Sequence, residues 1–164
     1  MKTHSEYINE KEEYSYKLYK KNRLFKKVKA VILDENNKVI LIRFPDNGLV
    51  IPGGGVEEGE TLREAVIREA LEETGMQVEP IKILCKNFYL RNMQYNGINF
   101  VSKRVEYYYL CKKIAVVSND LGIEGEFERD ISIITCEIDK LKRTKMNKRG
   151  ILRLKKHIEN NKDS

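Results

Sequence analysis

The 164-residue sequence has no tryptophan, two histidines and three cysteines, and these shortages remove several kinds of chemistry. Cys85, Cys111 and Cys136 are odd in number, far apart and without a C-x-x-C pair. Neither a disulfide framework nor a zinc site is indicated, and buried free thiols are expected. His4 and His157 stand near opposite ends of the chain and are assigned no role. No apolar run is long enough to span a bilayer, and the opening MKTHSEYINEKEEYSYK lacks the apolar core of a secretory signal. A soluble, cytoplasmic protein with no membrane partner is expected.

Charge, by contrast, is plentiful, at 34% of residues with a net +6, and the 41% hydrophobic content suffices for a single core. Residues 1–26 mix charge with tyrosines and read as an irregular or short helical lead-in. Residues 27–164 then form one domain, including a basic C-terminal helical segment.

One stretch organises the chain, PGGGVEEGETLREAVIREALEETGM from Pro52 to Met76. Thr61 is an N-cap candidate, Glu64 stands three residues on as in a capping box, and Gly75 follows the last periodic residue. The spacing therefore predicts a helix over Leu62 to Thr74. Val66, Ile67, Ala70 and Leu71 form its apolar stripe, and Glu69, Glu72 and Glu73 fall largely on the other side. A solvated acidic face is one reading. Against it, like charges three and four residues apart repel by about 0.2–0.5 kcal/mol per pair, and carboxylates in a last turn meet the negative end of the helix dipole. A divalent cation held by carboxylates and substrate phosphates relieves both penalties, so metal binding stands beside the solvated reading.

The glycines Gly53, Gly54 and Gly55 fit a tight turn, and two familiar phosphate loops fail on them. A dinucleotide fingerprint starting at Gly53 needs glycine where Glu58 stands. A P-loop through Gly54, Gly59 and Thr61 needs lysine where Glu60 stands, which reverses the charge.

The same positions match another pattern without insertion or deletion: Gly54, Glu60, Arg68, Glu69, Ala70, Glu72, Glu73, Gly75 and Met76 are the fixed positions of a Nudix box. Ala70 and Met76 are small or flexible where a branched aliphatic is usual. The chain resembles a Nudix hydrolase. That resemblance implies an α/β (α+β) fold, an α/β/α sandwich with a mixed β-sheet between helices. It also implies metal-dependent hydrolysis of a diphosphate linkage in a nucleoside diphosphate joined to a group X. By resemblance, Glu72 and Glu73 ligate magnesium, for which manganese can substitute, and Glu69 ligates it or acts as base. The Gly54 carbonyl joins the shell and Arg68 orients the acids. A further metal-binding glutamate is expected downstream, where Glu124, Glu126 and Glu128 all qualify by position. The alternatives are a Nudix-like module that senses a nucleotide without cleaving it and a 5′-RNA pyrophosphohydrolase. A homodimer is left open, and the absence of tryptophan removes a subgroup signature that would name X.

Elsewhere, Lys27 to Leu33 and Lys38 to Phe44 read as a hairpin about a turn at Asp34 to Asn37, followed by a short run Leu49 to Ile51. Val78 to Leu90 contains a strand, Asn96-Gly97 is a hairpin turn ahead of Phe100 to Leu110, and Ile131 to Ile138 is another strand. The aromatics of this half favour core packing over base stacking. Arg43, Arg91, Lys103 and Arg104 fit either a phosphate-facing or a solvated strand face. Ile151, Leu154 and Ile158 repeat helically in the basic C-terminal segment, where a solvated amphipathic helix is preferred to a nucleic-acid surface.

Overall fold

The structure, a computed structural model, describes residues 4–117 and 131–162. Its elements are α1 (His4–Lys20), β1 (Phe25–Leu33), β2 (Val39–Arg43), β3 (Leu49–Val50), β4 (Gly53–Gly55), α2 (Leu62–Thr74), β5 (Met76–Tyr95), β6 (Ile98–Val116), β7 (Ser132–Cys136) and α3 (Lys148–Lys162). A short 3₁₀ turn, Ile138–Arg143, precedes α3.

The strands make one mixed sheet in the order β3-β2-β1-β6-β5, with β4 added beside β1 and β7 beside β2. β1 runs parallel to β6 and antiparallel to β2 and β4. Alternation along β1 sends its side chains into two cores. Val28, Ala30 and Ile32 meet Ala65, Val66 and Ala70 of α2. Val31 and Leu33 join the cluster that contains Ile151, Leu154 and Ile158 of α3. The arrangement is the expected α/β/α sandwich, and the i, i+3, i+7 reading of α3 holds.

Local signals explain most boundaries. Asp34 closes the first hairpin by accepting from the amides of Asn36 and Lys38 at 2.8 and 2.9 Å. Asn96 and Gly97 both take positive φ, 47° and 75°, as a tight two-residue hairpin demands. β5 and β6 reach 20 and 19 residues, well beyond the expected strands. Pro80 is tolerated because β5 is an edge strand and the register shifts beside it.

The outer half of this ribbon has a tenant. Rather than a short lead-in, α1 is a helix of 17 residues, and β1 begins at Phe25 rather than Lys27. Tyr16 of α1 lies 5.2 Å from the Tyr95 ring and 5.4 Å from the Phe100 ring. The buried Arg104 guanidinium donates to Ser15 Oγ at 3.2 Å and stacks 4.3 Å from the Phe25 ring centre. Arg104 thus serves neither phosphate nor solvent but seats α1, while Lys103 donates to Asn22. Among the described residues no helix is long and apolar enough to cross a membrane.

Candidate functional site

The glycines form strand β4, paired with β1, rather than the expected tight turn, and the chain passes from them into α2. Thr61 caps α2 by accepting from the Glu64 amide at 3.1 Å, and Glu64 returns the bond by accepting from the Thr61 amide at 2.8 Å. Gly75 ends the helix in the left-handed region, φ 68°, its amide donating to Leu71. α2 therefore occupies Leu62–Thr74 as expected.

Its faces differ from the expectation in one respect. Glu69 is only 8% exposed and points inward, whereas Leu71, assigned to the apolar stripe, is 39% exposed. The buried side is Ala65, Val66, Glu69, Ala70 and Thr74. The reason lies across the groove: a Cβ on Gly54 would stand 2.5–2.7 Å from the Glu69 carboxyl atoms. The bare Gly54 Cα therefore leaves the room that Glu69 fills. At Gly53 a side chain would instead strike the β1 backbone at Val28. Glu73 accepts from the Gly53 amide at 2.8 Å, so two acids of α2 converge on the loop. Glu72 remains more exposed.

Arg68 ties these groups together. Its Nε and Nη2 donate to the two Glu60 carboxylate oxygens at 2.7 and 2.9 Å, a bidentate pair. Nη1 donates to Glu69 at 2.8 Å and Glu72 at 3.2 Å, and Nη2 also reaches the Gly55 carbonyl at 3.0 Å. The family resemblance implies an orienting role for Arg68 and includes Glu60 in its pattern, but nothing in the sequence shows that these two form the clamp.

The electrostatics follow from this crowding. The Arg68 hydrogen bonds hold Glu60 below the usual carboxylate range. Burial pushes Glu69 up, against the pull of Arg68. Burial also pushes Glu73 up to about 7, opposed by the Gly53 amide and reinforced by Glu69 and Glu72. The set is rich in hard oxygen donors and short of positive charge, which is the chemistry that suits a divalent cation. Among the described residues no three potential ligands close on one point; Arg68 engages Glu69 and Glu72, and the Gly53 amide engages Glu73. Glu124, Glu126 and Glu128 lie outside the described residues.

A second feature leaves little mark on the sequence. A cleft of about 430 Å³ separates the box from α1, with Gly55, Arg68 and Glu69 on one side and Lys11, Tyr14 and Lys17 on the other. The Tyr14 ring meets Phe25 edge-on at 5.9 Å. The only available hint was the tyrosines interrupting a charged segment.

Comparison with known proteins points the same way. A family model described as the NUDIX domain matches residues 24–154. An ADP-ribose pyrophosphatase of Methanocaldococcus jannaschii is 47% identical over 49 residues, covering 27% of this chain and 29% of that protein. An RNA pyrophosphohydrolase of Psychromonas ingrahamii is 39% identical over 57 residues, covering 34% and 32%. The chain thus spans about a third of the length of these curated relatives. A solved NUDIX hydrolase from Nitrosomonas europaea superposes with a TM-score of 0.55 at 20% identity, covering 85% of this chain and 90% of that one. With the domain model matched over most of its length and the fold shared, the chain belongs to the NUDIX-domain family.

Proposed function

We propose that this protein is a metal-dependent hydrolase that cleaves a diphosphate linkage in a nucleoside diphosphate joined to another group X. The observation that carries the proposal is the convergence of Glu69 and Glu73 on the bare backbone of Gly53 and Gly54. The bare Gly54 Cα lets the Glu69 carboxyl pack against the backbone, and the acids gathered there have the donor chemistry for a hard cation.

Glu69, Glu72, Glu73 and the Gly54 carbonyl are the residues that hold magnesium, or manganese in its place. Bound there, the cation supplies charge neutralisation for the diphosphate and acidifies water at neutral pH. Arg68 keeps Glu69 and Glu72 aimed at the groove and, through Glu60, fixes the loop against α2. Glu69, buried and pushed upward in pKa, is suited to take a proton from attacking water. The box contributes no serine or cysteine, so attack by water rather than by a covalent nucleophile follows.

Hydrolysis in oxygen-18 water with magnesium or manganese tests this. The label is expected on a phosphorus of one product, with no covalent enzyme intermediate. Tight nucleotide binding without labelled product, across nucleoside triphosphates, nucleotide sugars, dinucleoside polyphosphates and 5′-triphosphorylated RNA, would favour the sensing module instead. All the acids of the box are retained, which supports the enzyme reading.

A further inference from the structure

We propose that α1 is the specificity wall of this site, with Lys11, Tyr14 and Lys17 contacting the group X, and that X is rich in hydroxyls, as a sugar is. This rests on the diphosphate-hydrolase reading above. α1 lies outside the residues matched by the NUDIX-domain model, yet it supplies one side of the cleft whose other side is Arg68 and Glu69. An accessory helix placed against the reacting groups is positioned to read the substrate rather than to complete the core.

α1 is fixed in that position. Ser15 is buried and bonded to Arg104, and Tyr16 packs on the Tyr95 and Phe100 rings. These contacts occupy its sheet-facing side, while Lys11, Tyr14 and Lys17 line the cleft. The outer part of the β5–β6 ribbon acts as its seat, which gives the unusual strand length a purpose.

The lining indicates the chemistry of X. Five carboxylates, Glu10, Glu13, Glu57, Glu58 and Glu69, line the cleft together with three cations, Lys11, Lys17 and Arg68. A phosphate chain or RNA end calls for a cationic surface, which this is not. Two facing aromatic planes for a base are missing among the lining residues, since Tyr14 and Phe25 pack edge-on against each other. Lys17 pairs with Glu13 at 3.2 Å and Arg68 with Glu69 at 2.8 Å, but a paired carboxylate keeps further acceptor sites, and with the Tyr14 hydroxyl these complement neighbouring hydroxyls. The volume is that of a small-molecule site.

The test uses the full chain with magnesium, ADP-ribose and uridine diphosphate sugars as substrates, and a nucleoside triphosphate as the comparison. Wild-type protein is expected to prefer a nucleotide sugar. Tyr14→Ala and Lys17→Ala should each raise KM for that sugar about 10-fold, with kcat nearly constant and the triphosphate KM unmoved. Tyr14→Phe keeps the ring on Phe25 and isolates the hydroxyl, while Lys17 is exposed, so at least these two variants should fold. Active wild-type protein whose variants show an unchanged sugar KM, or an equal change for both substrates, overturns the role of α1. A preference for triphosphates overturns the hydroxyl-rich X. Protein inert on every substrate overturns the hydrolase reading as well.

Discussion

Arg68 and Arg104 are both drawn out of water, and they keep opposite company. Arg68 gathers Glu60, Glu69 and Glu72 within hydrogen-bond range and touches the loop carbonyl of Gly55. Arg104 is held by two serine hydroxyls, the Met93 sulfur and the Phe25 ring. Burial pushes Glu69 and Glu73 up, reinforced by the neighbouring carboxylates and opposed at Glu69 by Arg68. Beyond Arg104, the buried Glu106 is satisfied by the Tyr89 and Tyr108 hydroxyls and by Lys27 at 3.6 Å, while burial and nearby Lys29 push Lys27 down to about 8. Both networks therefore perturb a buried charge. They differ in geometry: Arg68 and Glu69 line an open cleft, whereas Arg104 and Glu106 are spent on one another's neighbours and on seating α1.

The largest effects should come from exchanging these two residues for alanine. Arg104→Ala leaves Ser15 without its partner and strips packing from Phe25, at a cost of about 3 kcal/mol, read as a lowered urea midpoint. Its kcat per folded molecule should change little. Arg68→Ala should instead depress kcat strongly, because the carboxylates lose their orientation, and added divalent cation should raise its melting temperature less than that of wild type, since misaimed acids hold the ion more weakly. Equal losses of stability and turnover in both variants would erase the distinction between the networks.

Removing a carboxylate sharpens the comparison from the other side. Glu72→Gln or Glu73→Gln should cut turnover by at least about 100-fold, more than loss of a merely supporting partner. Thermal stability without metal should stay level or rise, since repulsion is relieved and the side-chain amide introduced by Glu73→Gln keeps an oxygen for the Gly53 amide. Loss of folding with turnover retained is the result that would sink the metal reading.

Gly54→Ala tests the convergence with a single methyl group. The new Cβ meets the end of the Glu69 side chain rather than backbone, so Glu69 should swing aside at little cost in stability. Turnover should fall about 10-fold, the scale of a displaced supporting group. Unchanged kinetics would mean that Glu69 does not act from its place above the loop.

A smaller effect follows from Glu73, which is pushed up to about 7 by burial and its acidic neighbours. Between the ordinary carboxylate range and pH 7 the folded protein then holds a proton that the unfolded chain has released. Stability of the metal-free protein should therefore fall as pH rises through that window. Glu73→Gln should flatten this part of a melting-temperature profile against pH, whereas Glu106→Gln should leave the Glu73 contribution in place.

The sequence made the ordered half of this contrast easier to see than its purpose. The caps of α2, the Asn96-Gly97 turn and the apolar repeat of α3 are local signals, and all three correspond to the structure. Glu69 reads as exposed because hydrophobic periodicity sorts residues by polarity, whereas it is buried among the other acids against the glycine backbone. Arg104 has two readings in the sequence because its partners are distant in the chain, with Ser15 lying 89 residues away. α1 is hard to read for a related reason. Its contacts use serine and tyrosine rather than an aliphatic stripe, which leaves little periodic signal.

The smallest expected effect belongs to the basic helix α3, which carries much of the positive charge yet contributes none of the residues lining the cleft beside Arg68. Its apolar side is spent on the core through Ile151, Leu154 and Ile158. Lys155 lies 3.7 Å from Asp139, and Lys156 is exposed. Lysines disposed in this way solvate a surface helix, and a surface ion pair is worth only about 0–1 kcal/mol. Lys155→Gln with Lys156→Gln should therefore leave kcat and KM for a small nucleotide substrate within about twofold of wild type, well below the tenfold step of about 1.4 kcal/mol. The same double variant assayed on a 5′-triphosphorylated RNA separates the two surfaces. If α3 gripped a nucleic-acid backbone, each lost phosphate contact would weaken binding and lower the slope of log affinity against log salt by about 0.7 for a single strand. A salt slope that stays put removes α3 from the substrate-binding surface, and a slope that falls places a nucleic-acid contact there.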